Sequence, residues 1–167
     1  RLLPPGDDAQ IVDVGCGTGA NIAALAHDYR AMGVDPSEDA IDFARKRFPH
    51  VDFRCGRAPG VLAETDGARR LFLLMDVLEH VPEDRRFFAD IVDPLREGDL
   101  LLITVPADMA LWSPHDESHG HYLRYDEQRL REVWSGLPFE ELLFSYFNAR
   151  LYPLIRLIRE ITRRKGR

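Results

Sequence analysis

The sequence predicts an α/β domain with a doubly wound, mainly parallel sheet, and three observations carry that reading. The 167 residues suit a single domain. Short apolar runs alternate with segments of helical period, the pattern of strand–helix units. The first apolar run leads directly into "GCGTG", residues 15–19, where three glycines fall within five positions.

Taken in order, "IVDV" (residues 11–14) reads as a short buried strand, and residues 20–28 as the helix after the glycines, with Ile22, Leu25 and Ala26 at helical spacing. "RAMGVD" is a second strand ending at Asp35. In "PSEDAIDFARKRF", Pro36, Ser37 and early acids mark a helix start, and Ala40, Ile41, Ala44 and Phe48 share one face. "VDFRCG" is a third strand, followed by a weak helical stretch over 59–65. "RLFLLMD" is a fourth strand whose unbroken apolar character suits cover on both faces. Residues 83–95 are helical and "DLLLITVP" is a fifth strand. Residues 106–125 lack periodicity and form a long loop, of the kind that is often functional. Asp126 caps a helix with Leu130, Val133, Trp134 and Leu137 on one face, and "FEELLFSYF" (139–147) reads as a sixth strand.

Composition excludes several classes. At 45% hydrophobic and 30% charged the chain is neither disordered nor fibrous. It has no apolar stretch near the length that spans a bilayer, and its start lacks the core of a signal peptide, so a cytoplasmic protein is expected. Cys16 and Cys55 are expected to be free thiols, Cys16 a small loop residue and Cys55 a buried apolar one. The net charge of -6 divides into -12 over residues 1–149 and +6 from Arg150 onward, and an acidic body argues against a nucleic-acid partner.

In an open parallel sheet, ligands lie beyond the carboxyl ends of the strands, near the point where strand order reverses. Glycine there lets main chain lie against a ligand, and the following helix offers free N–H groups. Asp35, sixteen residues after Gly19, is placed to accept hydrogen bonds from both hydroxyls of a ribose. Together they indicate a nucleoside cofactor. Gly15, Gly17 and Ala20 also satisfy the looser dinucleotide spacing, which leaves an NAD-dependent oxidoreductase as an alternative. That reading is disfavoured because neither a separate substrate domain nor a Tyr-x-x-x-Lys pair is present.

Three stretches in order, "VDVGCGTG" with Asp13 before the loop, "GVDPS" at 33–37 and "LLMDVLEHVP" at 73–82, resemble the class I S-adenosylmethionine-dependent methyltransferases. The resemblance covers residues 11–147. It implies a methyltransferase in which Gly15, Cys16, Gly17, Thr18 and Gly19 wrap the methionine part of S-adenosylmethionine, with Asp13 near its ammonium. It also implies that Asp35 holds the ribose, with Pro36 and Ser37 beside it, and that Gly56, Arg57 and Ala58 meet the adenine. Met75, Asp76, Val77 and His80 would line the same pocket. The family usually ends with a sixth and seventh strand as an antiparallel hairpin. No seventh strand is visible after Arg150, so a hairpin left incomplete, by shortening of the chain or by the tail taking its place, is expected.

His115, His119 and His121 fall within "WSPHDESHGHYLRYD" (112–126), which resembles a subset of the family carrying W-S-x-H-D-x-x-x-G-H-x-R-R-Y after the fifth strand. His115, Asp116, Gly120, His121, Arg124 and Tyr125 match, and Leu123 replaces the first of the paired arginines. The candidate catalytic residues are His115, Asp116 and His121, a histidine taking the acceptor's proton with Asp116 orienting it. The alternative is that the histidines only pin the loop. Asp76, Glu79 and His80 resemble a divalent-ion signature of quinone-pathway O-methyltransferases, but the same string is widespread without metal, and no metal is assigned. Trp112, Trp134, Phe144, Tyr146 and Phe147 read as core aromatics, Trp112 and Tyr146 also as candidates for an acceptor wall.

The expected activity is methyl transfer to an oxygen or nitrogen of a small-molecule acceptor, a secondary metabolite, sugar or lipid precursor. A catalytically inactive member of the fold serving as a binding subunit is the non-enzymatic alternative. Residues 1–149 form the methyltransferase domain, and 150–167 a basic amphipathic helix of that domain with Leu151, Leu154, Ile155, Ile158 and Ile161 on one stripe. Such a stripe more often docks on its own domain or a partner than on a membrane surface. The protein is expected to be a monomer or homodimer.

Overall fold

The computed structural model describes residues 3–4, 6, 8–65 and 69–165. Five strands, β1 (Ala9–Val14), β2 (Arg30–Asp35), β3 (Asp52–Cys55), β4 (Arg69–Met75) and β5 (Leu100–Thr104), form one parallel sheet in the order β3-β2-β1-β4-β5. All five are the strands the sequence predicts. Strand order reverses between β1 and β4, so the switch-point crevice opens over their carboxyl ends.

Alternation along the strands sends side chains to two cores. On one face Val12, Val14, Met32, Val34, Phe72 and Leu74 pack with residues of α3 (Asp84–Val92) and α5 (Glu127–Val133). On the other, Ile11, Phe53 and Leu73 pack with Ile22 of α1 (Ala20–Leu25) and Ile41 and Ala44 of α2 (Glu38–Arg47). Helix starts follow local chemistry: the Ser37 hydroxyl accepts from the Ala40 N–H at 3.3 Å, and Asp126 accepts from the Arg129 N–H at 2.7 Å. Residues 26–28 leave α1 in a turn, and α3 stops before Pro94, which has no N–H to continue a helix. The stretch over 59–65 is a short 3₁₀ turn, Gly60–Glu64.

Three expectations need correction. The sixth strand does not form: residues 139–147 join no ladder among the described residues, and Leu143 and Phe147 are 82% and 90% exposed. Most of its apolar residues come in consecutive runs, Leu142 to Phe144 and Tyr146–Phe147, which a pleated strand would send to opposite faces, and a segment at a sheet edge lacks cover for both. Tyr146 and Phe147 are therefore not core aromatics. Cys55 is exposed rather than buried, because it ends β3 where that edge strand leaves the sheet, whereas Cys16 is buried; both are free. The loop over 106–125 is also more ordered than its composition suggests, holding a 3₁₀ turn (Met109–Leu111) and α4 (Pro114–Ser118). The chain continues into α6 (Tyr152–Lys165); residues 166–167 of the expected tail lie outside the described residues.

Candidate functional site: a cofactor crevice and a histidine loop

The crevice begins where β1 ends. The N–H groups of Gly15 and Cys16 both donate to the Val34 carbonyl, at 2.8 and 3.0 Å, so the loop folds over the end of β2. Gly15, Gly17 and Gly19 all have positive φ, near 80°, 51° and 80°. Two of them also make room for neighbours: a Cβ on Gly15 would come within 2.7 Å of Val77, and one on Gly19 within 2.5 Å of the Phe53 ring. Gly17 differs, with open space where its Cβ would stand. Thr18 is exposed beside it.

Asp35 faces this loop. Its Oδ2 accepts the Gly17 N–H at 2.9 Å and its Oδ1 accepts the Ser37 N–H at 2.8 Å. The carboxylate is thereby fixed in orientation while each oxygen keeps a further lone pair. Pro36 and Ser37 are exposed on the same rim, and the Gly56 N–H donates to the Asp35 carbonyl at 3.0 Å, bringing the end of β3 alongside. Ala58 packs on the core while Arg57 is exposed. At the end of β4, Asp76 adopts φ 56° with its N–H held by the Thr104 carbonyl at 2.9 Å, between half-buried Met75 and Val77.

Asp13 lies beneath the loop, 2% exposed. Burial, and then the negative charge of Asp35, push its carboxyl up to about 6. Burial and the same two acids push the Cys16 thiol up to about 12, so it packs as a neutral group.

The histidine loop is closed at its base by paired bonds, Asp108 N–H to the Tyr125 carbonyl and Tyr125 N–H to the Pro106 carbonyl, both 2.9 Å. Its centre is Asp116, which is completely buried. That carboxylate accepts from the Ser113 N–H (2.9 Å) and hydroxyl (3.0 Å), from Arg124 Nε (2.8 Å) and Nη2 (3.2 Å), and it meets His121 Nδ1 at 3.1 Å. Burial opposes its ionisation, but the bonds from Arg124 and Ser113 and the Arg124 charge outweigh it and hold the carboxyl at about 2. A bond to the ionised Asp116 carboxylate places a proton on Nδ1 of His121, and in the neutral ring Nε2 is then the acceptor.

The loop is tied to the end of β4. The Tyr122 N–H donates to the Glu79 carbonyl at 2.7 Å, and the His80 and His121 rings meet edge to face with centroids 4.7 Å apart. Burial, and then His121, lower the pKa of His80. His115 is exposed, its ring centroid 4.0 Å from that of His119. Of the two candidate bases, Asp116 therefore touches His121 and not His115.

The sequence reading names Glu79 only within a metal-like signature and Arg70 not at all, and the burial of both escaped it. Glu79 is 1% exposed, neither of its carboxylate oxygens has a partner among the described residues, and burial pushes it up to about 7. Its ligand atoms, with those of His80 and His121, lie within 4.8 Å of one another; Asp76 is not in that group. Arg70 is buried in β4 and pairs with Asp99 while donating to the Thr65 hydroxyl at 2.6 Å. An acid inside "VLEHV" and an arginine opening an apolar run carry no periodic signal that distinguishes them from surface charges.

The strand order defines a doubly wound α/β domain whose glycine loop and Asp35 lie at the switch point. Residues 11–98 match the family described as a methyltransferase domain. The chain is 32% identical over 111 residues to the trans-aconitate 2-methyltransferase of Deinococcus radiodurans, covering 64% of this chain and 42% of that protein. It is 32% identical over 108 residues to the ubiquinone biosynthesis O-methyltransferase of Parvibaculum lavamentivorans, covering 62% and 42%. The plantazolicin methyltransferase BamL, solved with a triazolic desmethylPZN analog and SAH, superposes with a TM-score of 0.65 at 15% identity over 95% of this chain and 70% of that one. The chain belongs to the S-adenosylmethionine-dependent methyltransferase family. It spans less than half the length of those two sequence relatives.

Proposed function

We propose that this domain transfers the methyl group of S-adenosylmethionine to an oxygen or nitrogen of a small-molecule acceptor. The observation that carries the reading is Asp35, a carboxylate fixed by two backbone N–H groups beside a bare glycine loop at the switch point. In this reading Asp35 holds the ribose hydroxyls and the Gly15–Gly19 main chain, with Cys16 and Thr18, follows the methionine portion. Gly56, Arg57 and Ala58 border the adenine, with Pro36 and Ser37 on the ribose rim. Met75, Asp76, Val77 and His80 line the side where the methyl is exposed. The residues fit the cofactor because an ammonium group would favour the ionised form of Asp13, which burial and Asp35 disfavour. The names of the two sequence relatives, a trans-aconitate and a ubiquinone-pathway methyltransferase, support a small-molecule acceptor.

The cofactor supplies a methyl already activated on a sulfonium, whose bond pair stays with sulfur as the acceptor's lone pair forms the new bond. The protein's contribution is alignment, which in favourable systems supplies on the order of 7–11 kcal/mol. Where the acceptor must lose a proton, His121 Nε2 receives it, with Asp116 holding the ring and stabilising the imidazolium. His115, exposed and away from Asp116, is assigned no step.

Calorimetric titration with S-adenosylhomocysteine and with NAD tests the reading. S-adenosylhomocysteine is expected to bind and NAD is not. Because the ammonium favours ionised Asp13, affinity should be full above pH about 6 and decline as the pH falls through that value, and Asp13→Asn should flatten the profile. A pH-independent affinity in the unmodified protein would remove Asp13 from the site. Methyl transfer to components of a metabolite extract distinguishes an enzyme from an inactive binding subunit.

A further inference from the structure

α6 meets its own domain with the polar side. The Tyr152 hydroxyl donates to Asp108 of the histidine loop, and Arg156 Nη1, one turn later on the same side, donates to the Tyr152 oxygen at 2.9 Å. Helical spacing puts Leu154, Leu157 and Ile161 on the opposite side, and these are 57%, 57% and 45% exposed. A helix that docked in the usual way would bury this stripe and expose the tyrosine and arginine. The segment leading into it adds exposed Leu142, Leu143, Tyr146 and Phe147, so the apolar surface is concentrated in this one part of the chain.

Charge selects what covers that surface. Residues 150–167 carry +6 and residues 1–149 carry -12. A second copy placed stripe to stripe would bring two strongly basic helices together, a repulsive arrangement. An anionic lipid surface attracts the helix and repels the acidic body, which fixes a single orientation. No described helix is long and apolar enough to cross a membrane. The combination of an outward apolar stripe and flanking arginines is that of a helix lying in the headgroup layer.

We propose that α6 is a membrane-surface anchor, lying on an anionic bilayer with Leu154, Leu157 and Ile161 turned toward the acyl chains and the positive charge of residues 150–167 drawing it to the headgroups. The inference does not depend on the methyltransferase reading, since it rests on the orientation, exposure and charge of α6 and assigns no role to the cofactor crevice or to the candidate base.

Co-sedimentation with phosphatidylcholine vesicles and with mixed phosphatidylglycerol–phosphatidylcholine vesicles, at low and high salt, tests it. Binding to the mixed vesicles is expected to be at least about tenfold tighter than to phosphatidylcholine alone, and to weaken with salt. The double variant Leu154→Glu, Leu157→Glu should lose at least about tenfold of that affinity while keeping its circular dichroism and its affinity for S-adenosylhomocysteine. Equal binding to both vesicle types would overturn the proposal, as would an unaffected double variant, which would mean adsorption by charge alone. A dimer in light scattering that the double variant converts to monomer would assign the stripe to a second copy and overturn it equally.

Discussion

Asp116→Ala is expected to cost about 3–5 kcal/mol of stability, the range for removing one partner from a buried ion pair. The substitution strands several groups at once. Arg124 loses both of its bonds to carboxylate oxygen, the Ser113 N–H and hydroxyl at the start of α4 lose their acceptor, and His121 loses the contact that fixes its ring. Against a typical total of about 5–15 kcal/mol this is a large fraction, and it should appear as a clear fall in the thermal midpoint. The sign of its pH dependence follows from the depressed carboxyl. With a folded value of about 2 against an ordinary 3.8, the stabilisation is present above pH about 4 and is lost as the pH falls toward 2. The unmodified protein should therefore lose its advantage over the variant across that interval.

A comparison with His121→Ala isolates the chemical role from the structural one. His121 makes one side-chain contact to Asp116 where Arg124 makes two, so its removal should lower the midpoint far less than Asp116→Ala does. Turnover should fall about 10²–10⁴-fold if the ring is the base, with S-adenosylhomocysteine affinity retained. Normal turnover in a folded His121→Ala protein would make the ring a pin for the loop and nothing more.

The sheet was legible because its signal is periodic. Short apolar runs bounded by glycine, proline and polar residues leave little choice for β1 to β5, and in the loop that follows β1 the positive φ of Gly15, Gly17 and Gly19 is a local requirement the string displays. The parts that were not legible depend on long-range partners. Residues 139–147 are rich enough in Phe, Tyr and Leu to look like a strand, but a strand is specified by a neighbour that pairs with it and by a single buried face, and neither is present in the string. The order within 106–125 depends on Asp116 collecting donors from positions 113, 121 and 124, a convergence that spacing alone does not reveal. Which histidine Asp116 would orient was open for the same reason. In α6 the stripe is visible in the sequence, but the side it presents outward is decided by one tyrosine bonded to Asp108, and the expectation that it docks on its own domain or a partner rests on the commoner arrangement.

Asp35→Ala is expected to weaken S-adenosylhomocysteine binding by about 1.5–3 kcal/mol, roughly ten- to a hundredfold in Kd, as for loss of hydrogen bonds to a charged group. Two effects add in the same direction. The ribose loses its acceptor, and the Gly17 and Ser37 N–H groups lose the carboxylate that now holds the loop and the start of α2 in register. Asp35→Asn separates them. An amide offers one oxygen, so it satisfies one of the two N–H groups and presents its NH2 to the other, a donor facing a donor. If loop position dominates, Asn should be nearly as damaging as Ala; if the ribose contact dominates, Asn should recover part of the affinity through its remaining acceptor. Because Asp35 also helps raise the carboxyl of Asp13, both variants should shift the pH at which affinity declines below that of the unmodified protein. An Asp35→Ala protein that binds with undiminished affinity would move the ribose away from the end of β2 and with it the whole orientation of the cofactor in the crevice.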